Sequence, residues 1–81
     1  VIEQCRSSLH IIEKALVEAG SSLTEVVRVT YMLPSAADFE SCWPVLSAVF
    51  GDDPPAATMV ECGLIDPAYK IEIEVTALLR P

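Results

Sequence analysis

The sequence is poor in the residues on which metal and nucleic-acid chemistry draws. It has one histidine, His10, three cysteines, and five lysines and arginines against twelve acids, for a formal charge of −7 over 81 residues. Nucleic-acid affinity rests largely on lysine and arginine displacing counterions from phosphates, so this balance argues against RNA or DNA as a partner. Cys5, Cys42 and Cys62 are odd in number and too far apart for a C-x-x-C metal or redox motif. They read as reduced thiols of a cytoplasmic protein, each a small core hydrophobe, and neither metal nor cofactor is expected. No signal peptide or low-complexity tract is visible. No window approaches the roughly 18 uninterrupted apolar residues of a membrane span, so no membrane partner is expected.

What is present is apolar. Hydrophobic residues make up 52% of the chain, yet a domain this small draws only about 3–5 kcal/mol of net stability from a single core. Residues 1–81 read as one domain that covers some of its apolar surface with other chains. The sequence begins at Val1, already inside a helical pattern, as expected of a processed form or of the ordered part of something longer.

In chain order, Cys5, Leu9, Ile12, Leu16 and Ala19 recur at steps of four and three, which predicts a helix from about Ile2 to Ala19, stopped by Gly20. His10 lies off that stripe, on a solvated face. Ser22 and Glu25 have capping-box spacing and predict one helical turn. The run VVRVTYML, Val26 to Leu33, is rich in β-branched residues and apolar on nearly both faces, with Val27, Val29, Tyr31 and Leu33 alternating against Val26, Arg28, Thr30 and Met32. Such a strand belongs in the middle of a sheet or against another subunit. Tyr31 offers either a hydrogen-bond donor for a pocket or a packing ring.

Pro34 ends the strand, and Ser35 with Asp38 gives a second capping pattern. Phe39, Cys42, Trp43, Leu46, Val49 and Phe50 then form the apolar face of a second core helix, closed by Gly51. Pro44 inside it predicts an irregular first turn, with the helix either kinked or effectively restarting near Ser41. A stiff acidic loop from Asp52 to Pro55 leads to two alternating runs. In the first, Thr58, Val60 and Cys62 oppose Ala57, Met59 and Glu61; in the second, Ile71, Ile73, Val75 and Ala77 oppose Lys70, Glu72, Glu74 and Thr76. With an Asp-Pro turn between them, they most simply pair as a hairpin carrying three carboxylates on one face. The order helix, strand, helix, strand, strand predicts an α+β fold, with two helices on one face of a small sheet. Its open face and edges predict either missing N-terminal strands or an oligomer.

The segments AG-S-S-L, E-V-V-R-V-T, A-D-F, V-F-G, P-P-A-x-T-x-V-E and K-I-E-I-E-V, in this order, resemble the Rid family, also called YjgF-type proteins. The match covers essentially the whole chain, and the last two segments are the most specific. The resemblance implies a chorismate-mutase-like α+β subunit with a small mixed sheet, a homotrimer, and small-molecule pockets between subunits. It also implies hydrolysis of enamines and imines, such as 2-aminoacrylate, with release of ammonia. Family members are about one and a half times this length, with N-terminal strands before the first helix, so this chain corresponds to the C-terminal two-thirds of the domain. An arginine after the Pro-Ala pair grips the substrate carboxylate in those enzymes, and the first glutamate of Ile-Glu-Ile-Glu orients the attacking water. Carried over by position, the glutamate is Glu72, the arginine is replaced by Ala57, and the cysteine two residues beyond it is replaced by Met59. Neither replacement can hold a carboxylate. Two functions therefore stand side by side: a deaminase in which Glu72 is catalytic and another group anchors the substrate, and a non-catalytic trimer that binds a metabolite or acts as an interaction module at Ala57 and Met59. Glu61 reads as structural. The ribonuclease activity attached to some members finds neither a basic groove nor a histidine pair here.

Overall fold

The computed structural model describes residues 1–51 and 53–79. Helix α1 (Ile2–Glu18) and helix α2 (Phe39–Phe50) pack on one face of a three-stranded sheet made of β1 (Val26–Leu33), β2 (Ala56–Glu61) and β3 (Glu72–Ala77). This is the α+β arrangement expected from the element order.

The strand pairing differs from the expected hairpin. The sheet order is β2-β1-β3, with β2 parallel and β3 antiparallel to β1, so the sheet is mixed and β2 never touches β3. The reason is the apolar content of β1. A strand greasy on both faces gains most from neighbours on both edges, and α2 carries the chain back so that β2 enters parallel to it. Residues 62–71 then cross to the far edge instead of turning back.

Cross-strand partners share a face, so the register fixes the sides. Tyr31 pairs with Met59 and Ile73, Val29 with Ala57 and Val75, and Leu33 with Glu61, all on the helix side. Met32 pairs with Val60 and Glu72, and Thr30 with Thr58 and Glu74, all on the open side. Glu61 therefore lies on the opposite face from Glu72 and Glu74, and the expected row of three carboxylates is not formed. A bulge between Val26 and Arg28 interrupts the alternation of β1. The extra residue turns Val27 outward and lets Val26 point in, the reverse of the simple period-two reading.

The core is the set Cys5, Leu9, Val29, Tyr31, Leu33, Cys42, Leu46 and Ile71. Two of the three thiols are thus fully buried and unpaired, whereas Cys62 is only partly covered. Burial first, then Cys42, pushes the Cys5 thiol up to about 12.

Helix α1 ends as its sequence predicts: Gly20 adopts φ 88°, the Ser21 amide donates to the Leu16 carbonyl at 2.7 Å, and the Gly20 amide donates to that of Val17 at 3.2 Å. This is a Schellman stop, open to glycine because a Cβ resists that φ.

The two capping patterns behave otherwise. Leu23–Glu25 and Ala36–Asp38 form 3-10 turns whose serines make no side-chain cap bond. Ser22 instead shares a 2.8 Å hydrogen bond with Thr24, and the Ala36 amide donates to Glu61 Oε1 at 3.0 Å. A glutamate from β2 thus takes the first amide of the turn, and the Asp38 amide donates to the Ser35 carbonyl at 3.1 Å.

Helix α2 does not restart at Ser41; it runs unbroken through Pro44 after the 3-10 turn. Pro44 removes a hydrogen bond to the carbonyl of Glu40, and both residues are exposed, so water can satisfy that carbonyl. Of the loop expected over Asp52–Pro55, Asp52 lies outside the described residues.

Candidate functional site

The two edges of the sheet carry the residues picked out by sequence. On the β2 side, Ala57 and Met59 floor a cleft of about 220 Å³ beneath α2, walled by Tyr31, Phe39, Trp43, Leu46 and Phe50 and edged by Pro54 and Pro55. The rings form a chain: Tyr31 and Phe39 centroids stand 5.0 Å apart, and Phe39 and Trp43 stand 6.3 Å apart, edge to face. Among the described residues, none that lines the cleft is charged. Trp43 was expected in the core from its helical spacing, but it is 61% exposed and stands at the cleft instead. The helix rotates Cys42 and Leu46 inward, and position 43 falls about a quarter-turn away.

Tyr31 is 4% exposed, and burial, followed by the nearby Cys5, pushes its phenol up to about 12. It serves as a packing ring.

On the β3 side, a groove of about 530 Å³ runs between α1 and the segment entering β3, bordered by Gln4, Ser8, Ile11, Tyr69, Ile71 and Glu72. Gln4 holds that segment at two points. Its Nε2 donates to the Ala68 carbonyl at 2.9 Å, and its Oε1 accepts from the Lys70 amide at 2.7 Å. Within the segment, the Ala68 amide donates to Asp66 Oδ1 at 2.7 Å and the Tyr69 amide to the Asp66 carbonyl at 3.0 Å, which is the local turn an Asp-Pro step favours. Glu72 follows directly and is exposed at the first position of β3. Nothing local in the sequence pointed to Gln4, because its partners lie 64 and 66 residues away.

Ala57 and Met59 are therefore brought together, and Glu72 is not brought to them. The whole of β1 stands between, so the two edge strands are separated by two strand spacings, roughly 10 Å, and Glu72 projects from the opposite face. His10 is exposed on α1, and among the described residues no three of His, Cys, Asp and Glu cluster in a way that could hold a metal ion. No helix of the described residues is long and apolar enough to cross a membrane.

Known proteins match most of this chain. The family model described as Endoribonuclease L-PSP matches residues 1–79. The chain belongs to this family. It is the YjgF or Rid family whose resemblance the sequence segments carry. A RutC family protein of Pyrococcus abyssi is 37% identical over 75 residues, covering 93% of this chain and 59% of its own length. The crystal structure of a YjgF/YER057c/UK114 family member from Mycobacterium tuberculosis superposes with a TM-score of 0.87 at 34% identity, over 93% of this chain and 64% of that one. The yeast protein YEO7, at 24% identity, shares the fold with a TM-score of 0.91 over 99% of this chain and 64% of its own. The chain thus spans about three-fifths of the length of these proteins.

Proposed function

We propose that this L-PSP family chain hydrolyses neutral enamines or imines, releasing ammonia, in pockets formed between copies of the protein. The observation that carries the reading is the position of Glu72: exposed, first in β3, and set by a segment that Gln4 grips at two points. A carboxylate held at the rim of a groove can orient water and take its proton. In the reaction, water adds to the iminium carbon as Glu72 accepts one proton. The resulting carbinolamine takes that proton on nitrogen, and the carbon–nitrogen bond breaks to release ammonia as the hydroxyl gives its own proton to Glu72, leaving the carbonyl compound.

Because Ala57 and Glu72 lie on opposite edges and opposite faces of one sheet, a pocket that uses both is built where one copy's β2 meets another's β3. The homotrimer implied by the resemblance would provide such junctions. Residues 1–81 serve in it as one domain.

A second reading is favoured by Ala57 itself. With no charged residue among the described residues that line the cleft, position 57 offers no grip on a substrate carboxylate, and a binding role without turnover is consistent with that. The nuclease in the family's name has little support in a chain with net charge −7 and a single, exposed histidine.

Ammonia release from the N-unsubstituted imine of a neutral ketone and from 2-aminoacrylate, measured on the whole protein, separates these readings. The neutral imine is expected to turn over and 2-aminoacrylate to be poor. Glu72→Gln should lower the rate by about 10²- to 10⁴-fold, the usual share of a general base, with the fold intact by circular dichroism. Full activity in Glu72→Gln would remove Glu72 from the reaction, and no turnover of either compound would leave the binding role.

A further inference from the structure

We infer that the cleft beneath α2 takes a neutral, single-ring molecule and rejects its carboxylate counterpart. The inference rests on the small-molecule reading given above and names the ligand class. Three observations carry it.

The first is size. An apolar cavity of about 150 Å³ holds benzene, so a cleft of about 220 Å³ has room for one six-membered ring with a small substituent.

The second is the wall. Phe39 and Trp43 meet edge to face, leaving ring surface available at the mouth, and Trp43 is largely exposed. An aromatic guest gains offset or edge contacts with these rings, and the thioether of Met59 packs well against a ring edge. Ser47 contributes a hydroxyl at the border, enough to satisfy one amide or carbonyl.

The third is charge. Entry of a carboxylate would strip its water with no cation among the described lining residues to replace it. The chain's −7 charge adds a repulsive field around the mouth. A neutral guest meets neither cost.

Benzamide and benzoate differ chiefly in charge and make the test. Each is titrated into the whole protein while the indole N–H resonance of Trp43 and the Met59 methyl resonance are followed by NMR. Benzamide is expected to shift both saturably and to bind at least about tenfold more tightly than benzoate. Ala57→Arg should reverse that order by supplying the missing guanidinium. Should the substituted strand fold poorly, Trp43→Ala at an exposed position gives an independent reading: benzamide affinity should drop about fivefold, followed at Met59. Equal or tighter binding of benzoate by the native protein overturns the inference, as does the absence of any saturable shift with benzamide or an affinity untouched by Trp43→Ala. Benzamide binding without imine turnover sinks the hydrolase reading alone. Imine turnover without benzamide binding sinks this inference alone.

Discussion

Along β2 the chain offers Ala57 and Met59 to an aromatic cleft under α2, whereas along β3 it offers Glu72 beside a groove held by the carboxamide of Gln4. One edge is shaped by apolar packing and the other by hydrogen bonds to backbone. The contrast teaches how one scaffold can present two chemically different surfaces on the two edges of a single sheet. Ala57 lies in β2, paired with Val29, so a change of its side chain alters the cleft without removing a backbone partner of β1. Glu72 depends on a loop geometry set from α1, and that geometry contains no atom of the cleft.

The comparison holds only while both edges hang on one core, and its severest disruption is Leu33→Ala. Leu33 is fully buried on the central strand, on the side facing both helices. Removing it should cost about 2–5 kcal/mol, read as a lower urea midpoint, with both edges lost in one transition. Separate transitions for the Trp43 signal and the β3 amides would show two independent units instead of one.

Alkali should act on the same core. Burial raises Cys5 from 9.0 to about 12 and Tyr31 from 10.0 to about 12, so the unfolded chain gives up both protons first. The stability associated with this is complete below pH 9 and is lost as pH rises from 9 toward 12. Urea midpoints across that range should fall steadily, and Cys5→Ser with Tyr31→Phe should flatten the decline. A level midpoint in the native protein would contradict this sign.

A substitution confined to one edge sharpens the contrast. Gln4→Ala removes two hydrogen bonds and should cost about 1–3 kcal/mol. Amide exchange at Lys70 should quicken and imine turnover should fall, while the Trp43 resonance stays in place. A shift at Trp43 of similar size would mean that the edges are coupled.

The smallest effect is expected for Glu61→Ala, which takes from the Ala36 amide its only carboxylate partner at the start of the 3-10 turn. About 0.5–2 kcal/mol of cap stability should be lost, with the amide resonance of Ala36 moving and turnover unchanged. Loss of turnover would assign Glu61 a part in the reaction.

Much of this molecule can be read without coordinates because its local signals agree with one another. The 3.6 periodicity from Cys5 to Leu16 and the glycine after it give α1 and its Schellman stop to within a residue. The alternation from Ile71 to Ala77 gives the inner and outer faces of β3, and the Pro-Ala and Ile-Glu-Ile-Glu segments give the family. Where the reading fails, the deciding partner is remote. Ser35 has the right spacing for a cap, but Glu61 reaches Ala36 first; Trp43 has core spacing, but the turn of α2 places it at the cleft. The bulge at Val27 also leaves no mark on composition, and it exchanges the faces of two valines.

The sequence by itself determined the helices, the strands, the faces of β3, and the small apolar residue Ala57 after the Pro-Pro-Ala run. Each of these follows from residues a few positions apart, whose periodicity and backbone preferences act before the chain folds. Only the tertiary structure decided that β1 lies between β2 and β3, that Glu72 and Ala57 face away from each other, and that Gln4 holds the approach to β3. Those outcomes depend on burying the doubly apolar β1 between two neighbours, a gain that exists only once segments far apart in the chain have met.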